Sequence, residues 1–125
     1  MVLADTSVWS RFLANHAPYA ERMDLLLARD RVAGHELVYG ELLVGGRGGR
    51  RALLAGLERI HQAKPVPHRE VVDFVNARKL HGRGLRWIDA HLLASALAGR
   101  LDLWTADRRL AEAARELGVS YAIGR

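Results

Sequence analysis

The chain has 125 residues, of which 50% are hydrophobic and 26% charged, and it contains no cysteine. That length and balance fit one globular domain spanning residues 1–125 and exclude a disordered chain, a disulfide framework and a thiolate metal site. Nineteen cationic side chains against 14 acids leave a formal charge of +5. Lys64 and Lys79 are the only lysines, so the excess is carried by arginine, whose planar fork grips phosphate and favours a nucleic-acid partner. No apolar run approaches the roughly 20 residues that span a bilayer, and no basic segment leads into an apolar one at the start. The expectation is a cytoplasmic protein with no membrane partner.

In chain order, Val2-Leu3-Ala4 reads as a short buried strand that runs straight into Asp5, Thr6 and Ser7. A helix follows over Val8–Leu13. Pro18 opens a second helix, with Met23, Leu26 and Leu27 as its apolar face, ending near Arg29. Val32-Ala33-Gly34 reads as a second strand and His35–Gly45 as a helix. Gly45–Gly49 breaks that pattern, and Arg50 to about His61 is helical again. Lys64-Pro65-Val66-Pro67 is a connector with room for an edge strand. Glu70–Leu80 and Trp87–Ala98 are helical, and Gly99 is the expected stop of the second of these. Leu101–Thr105 reads as a strand, Asp107–Leu117 as a helix closed by Gly118, and Val119–Ile123 as a last strand. Short strands alternating with helices indicate parallel βαβ units with helices on both sheet faces.

Four acids stand apart from the rest. Asp5 leaves the first strand at its carboxyl end, where open α/β sheets line their ligand crevice. Glu41 shares a helical face with Leu37 and Val44. That face is expected to be buried, and a buried carboxylate needs a cation beside it. Asp89 falls in the first turn of the most apolar helix, on the side of Leu93 and Ala96. Asp107 follows the Leu103-Trp104-Thr105 strand, where a plain helix cap is the simplest role. Asp5, Asp89 and Asp107 are expected to reach one edge of a parallel sheet. Carboxylates gathered there make a hard-cation site suited to Mg²⁺ or Mn²⁺, and the cationic surroundings point to a phosphodiester substrate.

These residues resemble the PIN-domain ribonucleases, in particular the VapC-type toxins of toxin–antitoxin modules. The resemblance runs through Val2–Trp9, Val38-Tyr39-Gly40-Glu41-Leu42, Trp87–Ala96 and Leu103–Leu110, and so covers nearly the whole chain. It implies a three-layer α/β/α sandwich around a short, mainly parallel sheet. It also implies a Mg²⁺- or Mn²⁺-dependent endoribonuclease of a type II module that hydrolyses structured RNA, such as tRNA or rRNA, to arrest translation and growth. Its implied metal ligands are Asp5 and Asp89, with Glu41 and Asp107 joining directly or through water, and its supporting hydroxyls are Thr6, Ser7 and Thr105. It further implies a homodimer and a small antitoxin that blocks the crevice. Arg86 is a departure: relatives often carry a small hydroxyl residue there.

Other features are weaker. His35–Tyr39 lacks the second histidine of a zincin motif, and Gly45–Gly49 lacks the Lys-Ser/Thr pair of a P-loop. Arg47, Arg50, Arg51, Arg86 and Arg108 are candidates for touching RNA. Trp9, Phe12, Trp87 and Trp104 are expected in the core or at a dimer contact. An RNA-processing nuclease of the same fold shares the same site. A receiver-like binding module is the reading from another class, but Asp5 lacks a second acid beside it, and no lysine follows Lys79.

Overall fold

The computed structural model describes residues 1–46 and 50–123. Four short strands form one parallel sheet: β1 (Val2–Ala4), β2 (Val32–Gly34), β3 (His61–Gln62) and β4 (Asp102–Trp104), in the order β3-β2-β1-β4. β1 and β2 are buried along their full length, as their uninterrupted small and apolar residues require of strands covered on both faces.

The helices are α1 (Thr6–Leu13), α2 (Tyr19–Ala28), α3 (Glu36–Gly45), α4 (Arg51–Arg59), α5 (His68–Arg78), α6 (Trp87–Gly99) and α7 (Arg108–Glu116). The chain moves one way across the sheet from β1 to β3 and then crosses back to place β4 beside β1. Right-handed crossovers therefore put α1–α4 on one face and α5–α7 on the other, giving the three-layer α/β/α sandwich. The order reverses between β1 and β4, so the ligand crevice belongs at the carboxyl ends of those two strands.

Leu3, Val8, Met23, Val32, Leu93, Leu103 and Leu110 are fully buried in one core that spans both layers. Leu57, Leu80 and Val119 close its margins.

Three expectations about elements are corrected. The edge strand is His61–Gln62, upstream of the Lys64–Pro67 connector, because Ala33 and Gly34 pair there and Pro65 and Pro67 cannot donate to a ladder. Gly99 is the last helical residue of α6, and Arg100 takes the left-handed cap at φ 53°. Val119–Ile123 forms no strand: it makes a single parallel bridge, Leu103 to Ser120, held by Leu103 N–H to Val119 C=O at 2.6 Å and Tyr121 N–H to Leu103 C=O at 3.0 Å.

Candidate active site

The exits of β1 and β2 and the turn after β4 follow one local rule: a polar residue after the strand caps the next helix. Asp5 accepts from Val8 N–H at 3.1 Å and starts α1. His35 accepts from Leu37 N–H at 3.1 Å and starts α3. Asp107 accepts from Arg109 and Leu110 N–H at 2.8 and 3.2 Å and starts α7. Capping satisfies amide donors that a helix leaves open at its start.

Asp5 does more than cap. It is 3% exposed, and its backbone N–H is tied to Trp104 C=O at 3.0 Å, which draws the ends of β1 and β4 together. Its Oδ1 accepts from the Ser7 hydroxyl and its Oδ2 from the Thr105 hydroxyl, both at 2.5 Å. Ser7 Oγ in turn accepts from Ala106 N–H at 3.0 Å, and Thr105 Oγ1 from Asp107 N–H at 3.0 Å. Burial raises the Asp5 carboxyl above the ordinary aspartate range. The Ser7, Thr105 and Val8 donors pull the other way, and the charge of Asp89 adds to the rise.

Asp89 is also buried, at 3% exposure, on α6. Its Oδ2 accepts from the Arg86 backbone N–H at 2.8 Å, and its Oδ1 lies 3.5 Å from the Arg86 guanidinium. The other fork of that guanidinium lies 3.5 Å from Glu41 Oε2, while Thr6 donates to Glu41 Oε1 at 2.5 Å. Thr6, Ser7, Glu41, Val44 and Arg86 line an open hollow of about 340 Å³ over this cluster.

Asp5, Thr6, Ser7, Glu41, Arg86, Asp89 and Thr105 thus meet at one edge. The carboxylate of Asp107 is exposed and turned to its helix, so it adjoins the cluster through its amide only. The expected burial of the Glu41 face is corrected: Val44 is 83% exposed, and the core side of α3 is Val38 and Leu42. Glu41 sits at the rim because α3 turns its apolar stripe under the sheet edge. Arg50 and Arg51 line a separate hollow with Tyr39, Leu43 and Glu58, and Arg108 is exposed at the start of α7. Arg47 lies outside the described residues. Trp9 and Trp104 are buried and Phe12 is half-buried, but Trp87 is 46% exposed at the start of α6, with the His68 and His91 rings 5.2 and 4.8 Å from its own.

Two features escape a reading of residues in isolation. The Arg86 guanidinium bridges two of the acids. His35, 2% exposed, accepts at Nδ1 and so carries its proton on Nε2, which donates to Ser95 Oγ at 3.0 Å; the Ser95 hydroxyl in turn donates to Lys64 C=O at 3.0 Å. That chain pins the N-terminus of α3, and with it Glu41, to α6, which carries Asp89. The signal was present in the sequence: His35 leaves β2 where Asp5 leaves β1.

The donors of the cluster are oxygens throughout, which suits a hard cation. Among the described residues no salt bridge neutralises Asp5, and its burial and the charge of Asp89 raise its carboxyl. Among the described residues no three His, Asp or Glu side chains stand close enough to form a ready-made metal cage. A site with one or two carboxylates and several waters is the arrangement Mg²⁺ ordinarily takes.

A parallel sheet whose order reverses beside one buried aspartate at a strand end, with a second buried aspartate opening the helix that leads to the neighbouring strand, is the fold and site of a nuclease-like α/β class, and the chain belongs to the PIN domain family, whose model matches residues 2–116. The chain is 43% identical over 124 residues to Ribonuclease VapC32 of Mycobacterium tuberculosis, in the sequences of both strain H37Rv and strain CDC 1551, covering 98% of this chain and 97% of the relative. Among solved structures, it resembles FitAcB from Neisseria gonorrhoeae with a TM-score of 0.63 and 24% identity, over 92% of this chain and 94% of that one. It also resembles PAE2754 from Pyrobaculum aerophilum with a TM-score of 0.57 and 22% identity, over 89% and 84%. At those identities the two structures bear on the fold alone.

Proposed function

We propose that the chain is an endoribonuclease dependent on Mg²⁺ or Mn²⁺, acting as the toxin of a toxin–antitoxin pair. The observation that carries the reading is the buried Asp5, held by two hydroxyls and a backbone amide and facing the charge of Asp89. Full-length likeness to a protein named a ribonuclease supports the reaction class.

Asp5 and Asp89 are the first-choice metal ligands, with Glu41 contributing directly or through water and Asp107, whose carboxylate caps α7, through water. Bound there, the cation supplies charge for the scissile phosphate, an activated water and a stabilised leaving oxygen. Ser7 and Thr105 keep both oxygens of Asp5 oriented, and Oδ2, with a single donor, has accepting capacity left, whereas Oδ1 also accepts from Val8 N–H. Thr6 orients Glu41 Oε1 in the same way. The open hollow admits a phosphodiester, and in-line attack leaves a 5′-phosphate and a 3′-hydroxyl. The net charge of +5 favours a nucleic-acid substrate, and the family resemblance makes it a structured RNA of the tRNA or rRNA kind. A homodimer, a cognate antitoxin over the crevice and a cytoplasmic setting complete the proposal.

The test is incubation of the purified protein with total RNA, with and without EDTA, followed by mapping of the new ends. Cleavage that EDTA abolishes and excess Mg²⁺ restores is the expected result. Intact RNA at every metal concentration refutes the activity. Growth arrest on expression, relieved by a neighbouring antitoxin, separates a toxin from an RNA-processing enzyme with the same site.

A further inference from the structure

Four carboxylate oxygens belong to Glu41 and Asp89, and their partners divide them sharply. Glu41 Oε1 is taken by the Thr6 hydroxyl, and Asp89 Oδ2 by the Arg86 backbone N–H. The remaining two, Glu41 Oε2 and Asp89 Oδ1, both face the Arg86 guanidinium, one from each fork, at 3.5 Å. The two oxygens not taken by a hydrogen bond are thus both set against that guanidinium. Asp89 is only 4% exposed in its side chain, yet Arg86 is 61% exposed, so the arginine reaches in from solvent and can withdraw into it.

We infer that Arg86 is an exchangeable counter-ion for the site: it holds Glu41 and Asp89 while no divalent cation is present, and it leaves them when one binds. The inference rests on the metal-dependent reading above. Both ion pairs are long and flank a solvent-exposed side chain, so they are weak enough for a dication to replace. Two carboxylates brought together by α3 and α6 need positive charge between them, and a tethered monocation supplies it without closing the hollow. Once displaced, the guanidinium stays on the wall of that hollow, since Arg86 is one of its lining residues. There it meets the phosphate of an incoming RNA, for which its fork is well shaped. Metal binding and substrate grip are thereby coupled through one side chain. A further consequence is that the protein needs more divalent cation to fill its site than the acids alone would require.

The experiment is calorimetric titration of Mn²⁺ into the metal-free protein and into Arg86→Ala and Arg86→Lys, with no RNA present. The alanine variant keeps the backbone N–H that Asp89 accepts, so any change is due to the guanidinium. The expected result is Mn²⁺ binding about fivefold tighter in Arg86→Ala, the worth of two weak ion pairs on an exposed side chain, with Arg86→Lys between the two. A lowered melting temperature in metal-free Arg86→Ala, recovered on adding Mn²⁺, is the second expected readout. Equal or weaker Mn²⁺ binding in Arg86→Ala overturns the exchange and leaves the metal-dependent reading standing. No Mn²⁺ binding in any of the three proteins overturns both. Arg86→Lys guards against loss of fold in the alanine variant: binding tighter than wild type supports the exchange by itself, and binding no tighter opposes it.

Discussion

Thr105, at the end of β4, donates its hydroxyl proton to Asp5 Oδ2, at the end of β1, across a hundred residues of chain. The same oxygen of Thr105 accepts from Asp107 N–H. One hydroxyl thus joins the two strands that flank the reversal of the sheet and fixes the acid between them.

Thr105→Val keeps the shape of that side chain and removes both hydrogen bonds. The expected loss of stability is about 1–3 kcal/mol, because one partner is a carboxylate. Thr105 is one of the donors that hold the Asp5 carboxyl down against burial. Removing it raises the Asp5 carboxyl further, so the acid limb of the pH–rate profile moves to higher pH. A melting curve and a cleavage profile between pH 4 and 8 check both outcomes, and an unmoved acid limb argues against Asp5 as the group that must ionise.

Asp5→Asn and Asp89→Asn are expected to fold. Asparagine caps a helix as well as aspartate does, and at position 89 its carbonyl still accepts from Arg86 N–H. RNA cleavage is expected to fall by about a hundredfold or more, the scale for losing a group that stabilises developing charge. Circular dichroism beside a cleavage assay separates the two effects. Wild-type cleavage in either variant removes that acid from the site.

His35 makes stability depend on pH. Burial is the larger cause and the charge of His91 the smaller, and together they lower its imidazole from 6.5 to about 4. The folded protein therefore prefers the neutral ring, and Nδ1 cannot be protonated without losing the Leu37 amide. The resulting stabilisation is complete above about pH 6.5 and is lost as pH falls from there through about 4, amounting to about 3 kcal/mol. Urea midpoints at pH 7 and pH 4.5 are expected to differ more in the wild type than in His35→Asn, which caps α3 without titrating. Equal pH sensitivity in both assigns the effect elsewhere.

Arg100→Gly is expected to stabilise the protein. Arg100 ends α6 at φ 53°, a left-handed conformation that side chains resist and glycine accepts freely. A gain of about 0.5–1 kcal/mol, raising the melting temperature by about 2–5 °C, is expected by calorimetry. A lower melting temperature would show that the Arg100 side chain makes a stabilising contact of its own.

The residues by themselves determine the alternation of strands and helices, and with it the parallel α/β class. A buried parallel strand must be small and apolar, and a helix enclosed by the core must be apolar nearly all round; Val2–Ala4, Val32–Gly34 and α6 meet these conditions. They also mark Asp5 and Asp89, because an acid beside so apolar a run needs a reason. Where elements stop is less legible. Gly99 looks like the end of α6, but Leu101 must turn back into the core, and its N–H bonds to Ala96 C=O from the next residue along, so the left-handed position falls on Arg100. Val119–Ile123 has the pattern of a strand but bridges β4 at one point only.

Tertiary structure alone decided which acids meet. Glu41 reads as buried from its helical face, yet lies at the rim because Val38 and Leu42, not Val44, turn under the sheet. Asp107 has the right position in the chain, but its carboxylate serves its own helix. Arg86 looks like a mismatched cap, and only the approach of α3 to α6 places its two forks on Glu41 and Asp89. The physical reason is one of range. Periodicity and capping act within a few residues and are written in the local sequence, whereas the meeting of charges from distant segments depends on where crossovers and core packing carry them.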